Sequence, residues 1–249
     1  MTRSLTIALL LGVAASLPLP CIAAGEAGTV QRQTVQFAKG KSSAQLRGSL
    51  KGDKDAEYAV NARAGQTLAV ALKSKNGSLN FNLTPRGAKE SMFIGGSQGT
   101  QASVVLPADG DYLVQVYLMR NAARRNESAA YTMDVAVTGQ PLAPLPAAKD
   151  ALVPGTRFHA SAAVQCQTLG SDPAATCKAD VTRRGRDGTA TVELSGANGM
   201  IRKVLFVKGQ PVASDSAQPM TSSRQVDLVT VRFGSDERYD VPSALLTGG

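Results

Sequence analysis

Two stretches of strict alternation limit what this chain can fold into. In Asp111–Leu118 the apolar residues Tyr112, Val114, Val116 and Leu118 fall on every second position, and in Ala130–Thr138 Tyr131, Met133, Val135 and Val137 do the same. Alternation of β-branched and aromatic residues with period two marks a half-buried strand, because successive side chains point to opposite faces. A helix would need spacings of three and four. The two strands are therefore read as the centre of a β core. Between them, residues 119–129 are too long for a tight hairpin turn, and a connection of that length is usually functional or mobile. It carries Arg120, Arg124 and Arg125 against a single carboxylate, Glu127.

Shorter alternating runs surround that pair. Val35 and Phe37 mark a first strand, Ala44 to Leu50 a second, and Tyr58, Val60 and Ala62 one face of a third. Leu68, Val70 and Leu72 follow the turn at Arg63–Gln66, and then come Leu79, Phe81 and Leu83, Met92–Ile94, and Ser103–Leu106. Pro107-Ala108-Asp109-Gly110 is a turn, with Asp-Gly its strongest signal. About eight short strands at such spacing predict an antiparallel, jelly-roll-like β-sandwich. Gly and Pro total 36 (24 plus 12) and tryptophan is absent, which suits small β units better than helices.

Four segments are expected. Residues 1–24 read as a secretory signal: Arg3, an apolar stretch from Leu5 to Ala15, and a small-residue exit at Cys21–Ala24. Lipid attachment at Cys21 is disfavoured by Pro20 before it, so the mature chain is read as exported, soluble and periplasmic. Residues 25–140 form the sandwich. Residues 141–155, rich in Pro and Ala, read as an extended, fairly stiff spacer. Residues 156–249 form a second, smaller β-rich unit. Beyond the signal, no apolar run approaches the roughly 18 residues of a membrane helix. Cys166 and Cys177 remain after the signal, an even pair in an oxidising compartment, and are expected to form a disulfide worth about 2–3 kcal/mol.

Most chemistry is excluded. His159 is the only histidine and has no nucleophile motif near it. Asp53, Asp55 and Glu57, interleaved with Lys51 and Lys54, read as a solvated turn rather than an acid–base pair or a calcium loop. Two cysteines and one histidine do not make a zinc site. Arg183, Arg184 and Arg186 lack the interleaved aromatics of a nucleic-acid face, and read as a solvated basic turn. No catalytic residue, metal, cofactor or nucleic-acid partner is expected. The net charge of +8, or +7 once Arg3 leaves with the signal (8 − 1), favours an acidic partner.

The 119–129 loop meets that expectation. Arginine's planar fork suits bidentate capture of carboxylates. Arg120 and Arg124, four apart, share one side of a helical turn.

Here the sequence resembles the periplasmic inhibitors of g-type lysozyme. The resemblance spans residues 35–137. It rests on Phe37–Gln45, Gly48 with Lys51-Gly52, the Ala64-Gly65-Gln66 turn, Leu106–Tyr112, and Arg120-Asn121-Ala122-Ala123-Arg124. It implies a non-enzymatic β-sandwich whose loops enter the lysozyme's substrate cleft. Arg120 and Arg124 would be the main contacts, with Asn121 shaping the loop and Arg125 adding charge. Gly52 and Asp53 would form a second contact loop, Asp53 standing where better-known members carry an aromatic. The residues alone leave a second reading open, a periplasmic module binding envelope glycan or another exported protein.

Overall fold

The computed structural model describes residues 31–168, 175–196 and 198–248. The signal at 1–24, with Cys21, lies outside them. The first half holds β1 (Gln31–Thr34), β2 (Ser43–Lys51), β3 (Ala56–Ala62), β4 (Thr67–Ser74), β5 (Leu79–Pro85) and β6 (Phe93–Ile94). After these come α1 (Gly95–Gln98), β7 (Gln101–Val105), β8 (Gly110–Leu118), α2 (Arg120–Arg124) and β9 (Ser128–Thr138). One sheet has the order β1-β3-β8-β5-β6 and the other β2-β9-β4-β7. Without β1 these are the two four-stranded layers of a jelly roll, an eight-stranded double Greek key.

The alternation places the core as expected. Tyr112, Val114 and Val116 are buried from one sheet, and Tyr131, Met133 and Val135 from the other. Phe81, Leu83, Leu68 and Leu106 fill the space between. The buried hydroxyls of Tyr58 and Tyr131 share a hydrogen bond of 2.8 Å across the layers.

Two details differ from the expectation. The first strand lies at Gln31–Thr34, ahead of Val35, and pairs in parallel with β3. All four of its residues are exposed, so it has no alternation to read. The strands flanking the arginine loop are not neighbours either: β8 and β9 belong to opposite sheets. The loop is long because it crosses from one layer to the other.

The second half is one antiparallel sheet in the order β14-β13-β12-β11-β10-β17-β16-β15. These strands are β10 (Ala160–Gln167), β11 (Thr176–Arg183), β12 (Ala190–Ser195), β13 (Ile201–Val207) and β14 (Gln210–Ser214). β15 (Met220–Gln225), β16 (Leu228–Phe233), β17 (Glu237–Pro242) and α3 (Ser243–Thr247) complete it. The sheet curls until its edge strands β14 and β15 approach each other. Its core is separate from that of the sandwich and includes Val181, Val192, Phe206, Val231 and Tyr239. Cys166 and Cys177 are bonded, buried, and 5.7 Å apart at Cα; the tip they enclose, 169–174, lies outside the described residues. Val226 sits in the β15–β16 turn with φ 45° and 86% exposure.

The Pro/Ala run binds to both bodies. Leu142 N–H donates to Ala64 O at 2.9 Å, and its side chain packs with Ala64, Leu205 and Ala213. Leu145 N–H donates to Arg183 O. His159 is buried, accepts the Arg183 N–H at Nδ1 and lies 2.9 Å from Leu145 O at Nε2, a bonded structural histidine. The basic turn is solvated only at exposed Arg186, not at Arg183 and Arg184. Arg184 places a buried side chain against Asp109 and Leu142 O, Arg183 pairs with Asp150, and Arg186 donates to Lys149 O. A charge is buried only where partners meet it, and these partners lie far away in sequence.

Of these contacts, those that reach the sandwich, at Ala64 and Asp109, lie at one end of it, where β8 begins at Gly110 and β3 ends at Ala62. The arginine loop, where β8 ends at Leu118, lies at the other.

Candidate functional site

The loop end of the sandwich carries three tips: 51–55 between β2 and β3, 74–78 between β4 and β5, and 119–127 between β8 and β9. In the third, Met119 O accepts the N–H groups of Ala122 and Ala123, starting the single turn of α2. Ala122 is fully buried and Ala123 packs against the core. The two alanines of Arg-Asn-Ala-Ala-Arg thus face inward and anchor the turn. Arg120, Asn121 and Arg124 are left exposed. The buried alanine anchors the backbone of the turn, so the long charged residues beside it leave from a fixed frame on its outer side.

Arg120 and Arg124 make no ion pair or side-chain hydrogen bond among the described residues. Asn121 turns its Oδ1 back to the Ala122 N–H at 2.8 Å, a local bond that shapes the loop's start. Arg125 differs from the sequence expectation. Its Nε and Nη2 donate to Glu127 Oε1 at 2.8 and 2.6 Å, so its charge is compensated two residues away. The Asn76 amide and then the Arg125 guanidinium hold the Glu127 carboxyl below its ordinary pKa.

Gly52 is brought against this loop. Its N–H donates to Glu127 O at 2.9 Å, and its φ of 63° is the left-handed region where glycine carries no steric cost. A Cβ there would stand 2.8 Å from Asn126 Oδ1. Asp53 is exposed beside it, with no ion pair among the described residues. Asp55 and Glu57 are not idle in a solvated turn: Asp55 accepts from Gln115, and Glu57 pairs with Arg32.

The 74–78 tip is the element that sequence reading passed over. Asn76 Nδ2 donates to Glu127 Oε2 at 2.9 Å, and Met119 N–H donates to Ser78 O. Its signal was the Asn76-Gly77 pair, a strong turn dipeptide. Among the described residues, no group of three or more His, Cys, Asp or Glu could hold a metal. The arrangement can present unpaired cations on a rigid frame; it holds no nucleophile–base pair.

No family model matches the chain. It is similar to a curated protein of Escherichia coli strain K12 described as an inhibitor of g-type lysozyme, 32% identical over 106 residues, 41% of this chain and 78% of that protein. A crystal structure of a periplasmic inhibitor of g-type lysozyme from Aeromonas hydrophila matches at 39% identity, covering 44% of this chain and 97% of that one, with a TM-score of 0.41. The corresponding structure from Salmonella Typhimurium matches at 29% identity, 44% and 100% coverage, and a TM-score of 0.37.

Proposed function

The chain belongs, through its first sandwich, to the family of inhibitors of g-type lysozyme, and on that premise we propose that it acts by inserting the Arg120–Arg124 turn into the enzyme's substrate cleft. The observation that carries this reading is the pair of exposed guanidinium groups, unpartnered among the described residues, on a turn anchored by buried Ala122. A glycosidase cleft holds a catalytic carboxylic acid. A guanidinium entering it pairs bidentately with that group and occupies the place of the sugar. Asn121 sets the loop's shape, and Gly52 and Asp53 form a second contact tip beside it. Arg125 braces the loop through Glu127.

Two separate hydrophobic cores support a division into an inhibitory domain, residues 25–140, and a second domain, 156–249, joined by 141–155. The relatives are periplasmic inhibitors, and the same compartment fits the signal-like start and the buried disulfide of this chain. Among the described residues, no helix is long and apolar enough to cross a membrane.

The test is titration of a g-type lysozyme with the full chain and with an Arg120→Ala, Arg124→Ala double variant. The double variant keeps its fold and loses inhibition. Undiminished inhibition by that variant overturns the assignment.

A further inference from the structure

Glu127 is the junction of the three tips at the loop end. Its backbone N–H donates to Ala122 O at 3.2 Å, and its carbonyl accepts the Gly52 N–H at 2.9 Å. Its two carboxylate oxygens take different partners. Oε1 accepts from Arg125 at 2.8 and 2.6 Å, and Oε2 accepts from Asn76 Nδ2 at 2.9 Å. The 74–78 turn is braced further: Ser78 N–H donates to Asn76 Oδ1, Ser74 Oγ donates to Ala130 O, and Ser78 O accepts the Met119 N–H. The backbone around Lys75 is therefore fixed to the arginine turn rather than free to swing.

The charges at this end divide into used and unused. Glu127 is the only carboxylate of the arginine loop, and it is engaged by Arg125 and Asn76. Lys75 is exposed and, among the described residues, pairs with no carboxylate. Among the described residues, Arg120, Arg124 and Lys75 are thus unpaired cations on tips that Glu127 ties together, and the 51–55 tip adds exposed Lys51 and Lys54 around the single exposed carboxylate Asp53. Like charges in excess on one face favour a partner of opposite sign.

We propose that the 74–78 turn is a third contact segment of the inhibitory face, that Lys75 is its contact cation, and that Glu127 is the positioning residue that holds it to the arginine turn. The inference rests on the inhibitory reading above. The partner is the acidic wall of a glycan-binding cleft, next to the carboxylic acid that Arg120 and Arg124 address. Lysine suits that place, because a mobile ammonium adapts to a carboxylate whose position a fixed fork would miss.

The experiment measures association and dissociation rates with a g-type lysozyme, together with thermal unfolding, for full-chain Lys75→Ala, Lys75→Glu, Glu127→Ala and Glu127→Gln. Lys75→Ala weakens binding by about threefold to tenfold without changing the unfolding temperature, and Lys75→Glu weakens it further. Glu127→Ala makes the face more positive, which by charge alone would speed association, yet dissociation accelerates by about tenfold as the tips part. Glu127→Gln keeps an acceptor for Asn76 and recovers part of the loss. Wild-type binding by both Lys75 variants, or binding by Glu127→Ala as tight as wild type, overturns the inference. The Arg120→Ala, Arg124→Ala protein separates the two claims. Its loss of inhibition beside unaffected Lys75 variants removes only the third contact, whereas full inhibition by it removes the inhibitory reading.

Discussion

Arg202 Nη2 in the C-terminal sheet lies 3.0 Å from Oε2 of Glu90 in the sandwich, the guanidinium 2% exposed and the carboxylate 48%. The same nitrogen reaches Glu237 at 2.7 Å inside its own sheet, and Asp215 approaches Nη1 at 3.6 Å. The guanidinium also lies over the Phe233 ring. Arg202 is thus the cation on which three carboxylates converge, one of them from the other body.

Loss of Arg202 is expected to be costly. Arg202→Ala leaves Glu237 and Asp215 buried without their cation, which typically destabilises by about 3–5 kcal/mol. Glu90→Ala removes only the half-exposed partner and should cost about 1 kcal/mol or less. Denaturant unfolding of both variants checks the ordering, and equal effects would refute it.

Asp215 makes the C-terminal sheet sensitive to pH. Burial pushes its carboxyl up from 3.8 to about 6, against the opposing pull of the Lys203 N–H, Arg202 and Lys203. Tyr112 faces it from the sandwich. A pKa raised on folding means that the folded state binds the proton more tightly. The contribution is complete below pH 3.8 and is lost as the pH rises through about 6. It amounts to at most about 3 kcal/mol. Wild type should therefore gain stability relative to Asp215→Asn between pH 7 and pH 4.5. Parallel pH profiles for the two proteins would exclude this role.

Gly52→Ala tests the second tip. The left-handed φ costs a residue with a Cβ about 1 kcal/mol, and the added atom displaces Asn126. A small loss of stability with a larger, severalfold loss of lysozyme inhibition is expected. Inhibition unchanged while stability falls would place Gly52 outside the contact.

The disulfide should matter to one body only. Cys166→Ser, Cys177→Ser opens a loop whose ends are 11 positions apart, a cost of about 2–3 kcal/mol. Unfolding followed by probes in each sheet should show the C-terminal sheet failing first, with lysozyme inhibition retained. Simultaneous loss of both would show that the sandwich depends on its neighbour.

The sandwich core was legible because its strands are half-buried. Tyr112, Val114 and Val116 alternate with partly exposed neighbours, and a one-sided environment writes itself into the sequence with period two. β1 and β15 carry no such imprint: every residue of β1 is exposed and so are all but Met220 in β15. The arginine turn was legible from Arg120 and Arg124 at a helical spacing. The compensation of Arg125 by Glu127 was not, although the two are nearly adjacent, because either could as well have faced water.

The junction of the two bodies left no sequence signal at all. Arg202 and Glu90 are 112 residues apart, and Arg184 and Asp109 are 75 apart. Local patterns register a residue's own face, not the identity of what comes to cover it. Arg183 and Arg184 accordingly read as a solvated turn and proved to be buried fasteners.

β8 runs unbroken from the junction to the arginine turn, nine residues at roughly 3.3 Å each, so about 30 Å of stiff sheet separates the two ends. The C-terminal sheet, fastened at one end of the sandwich, therefore leaves Arg120, Asn121 and Arg124 at the other end open to solvent.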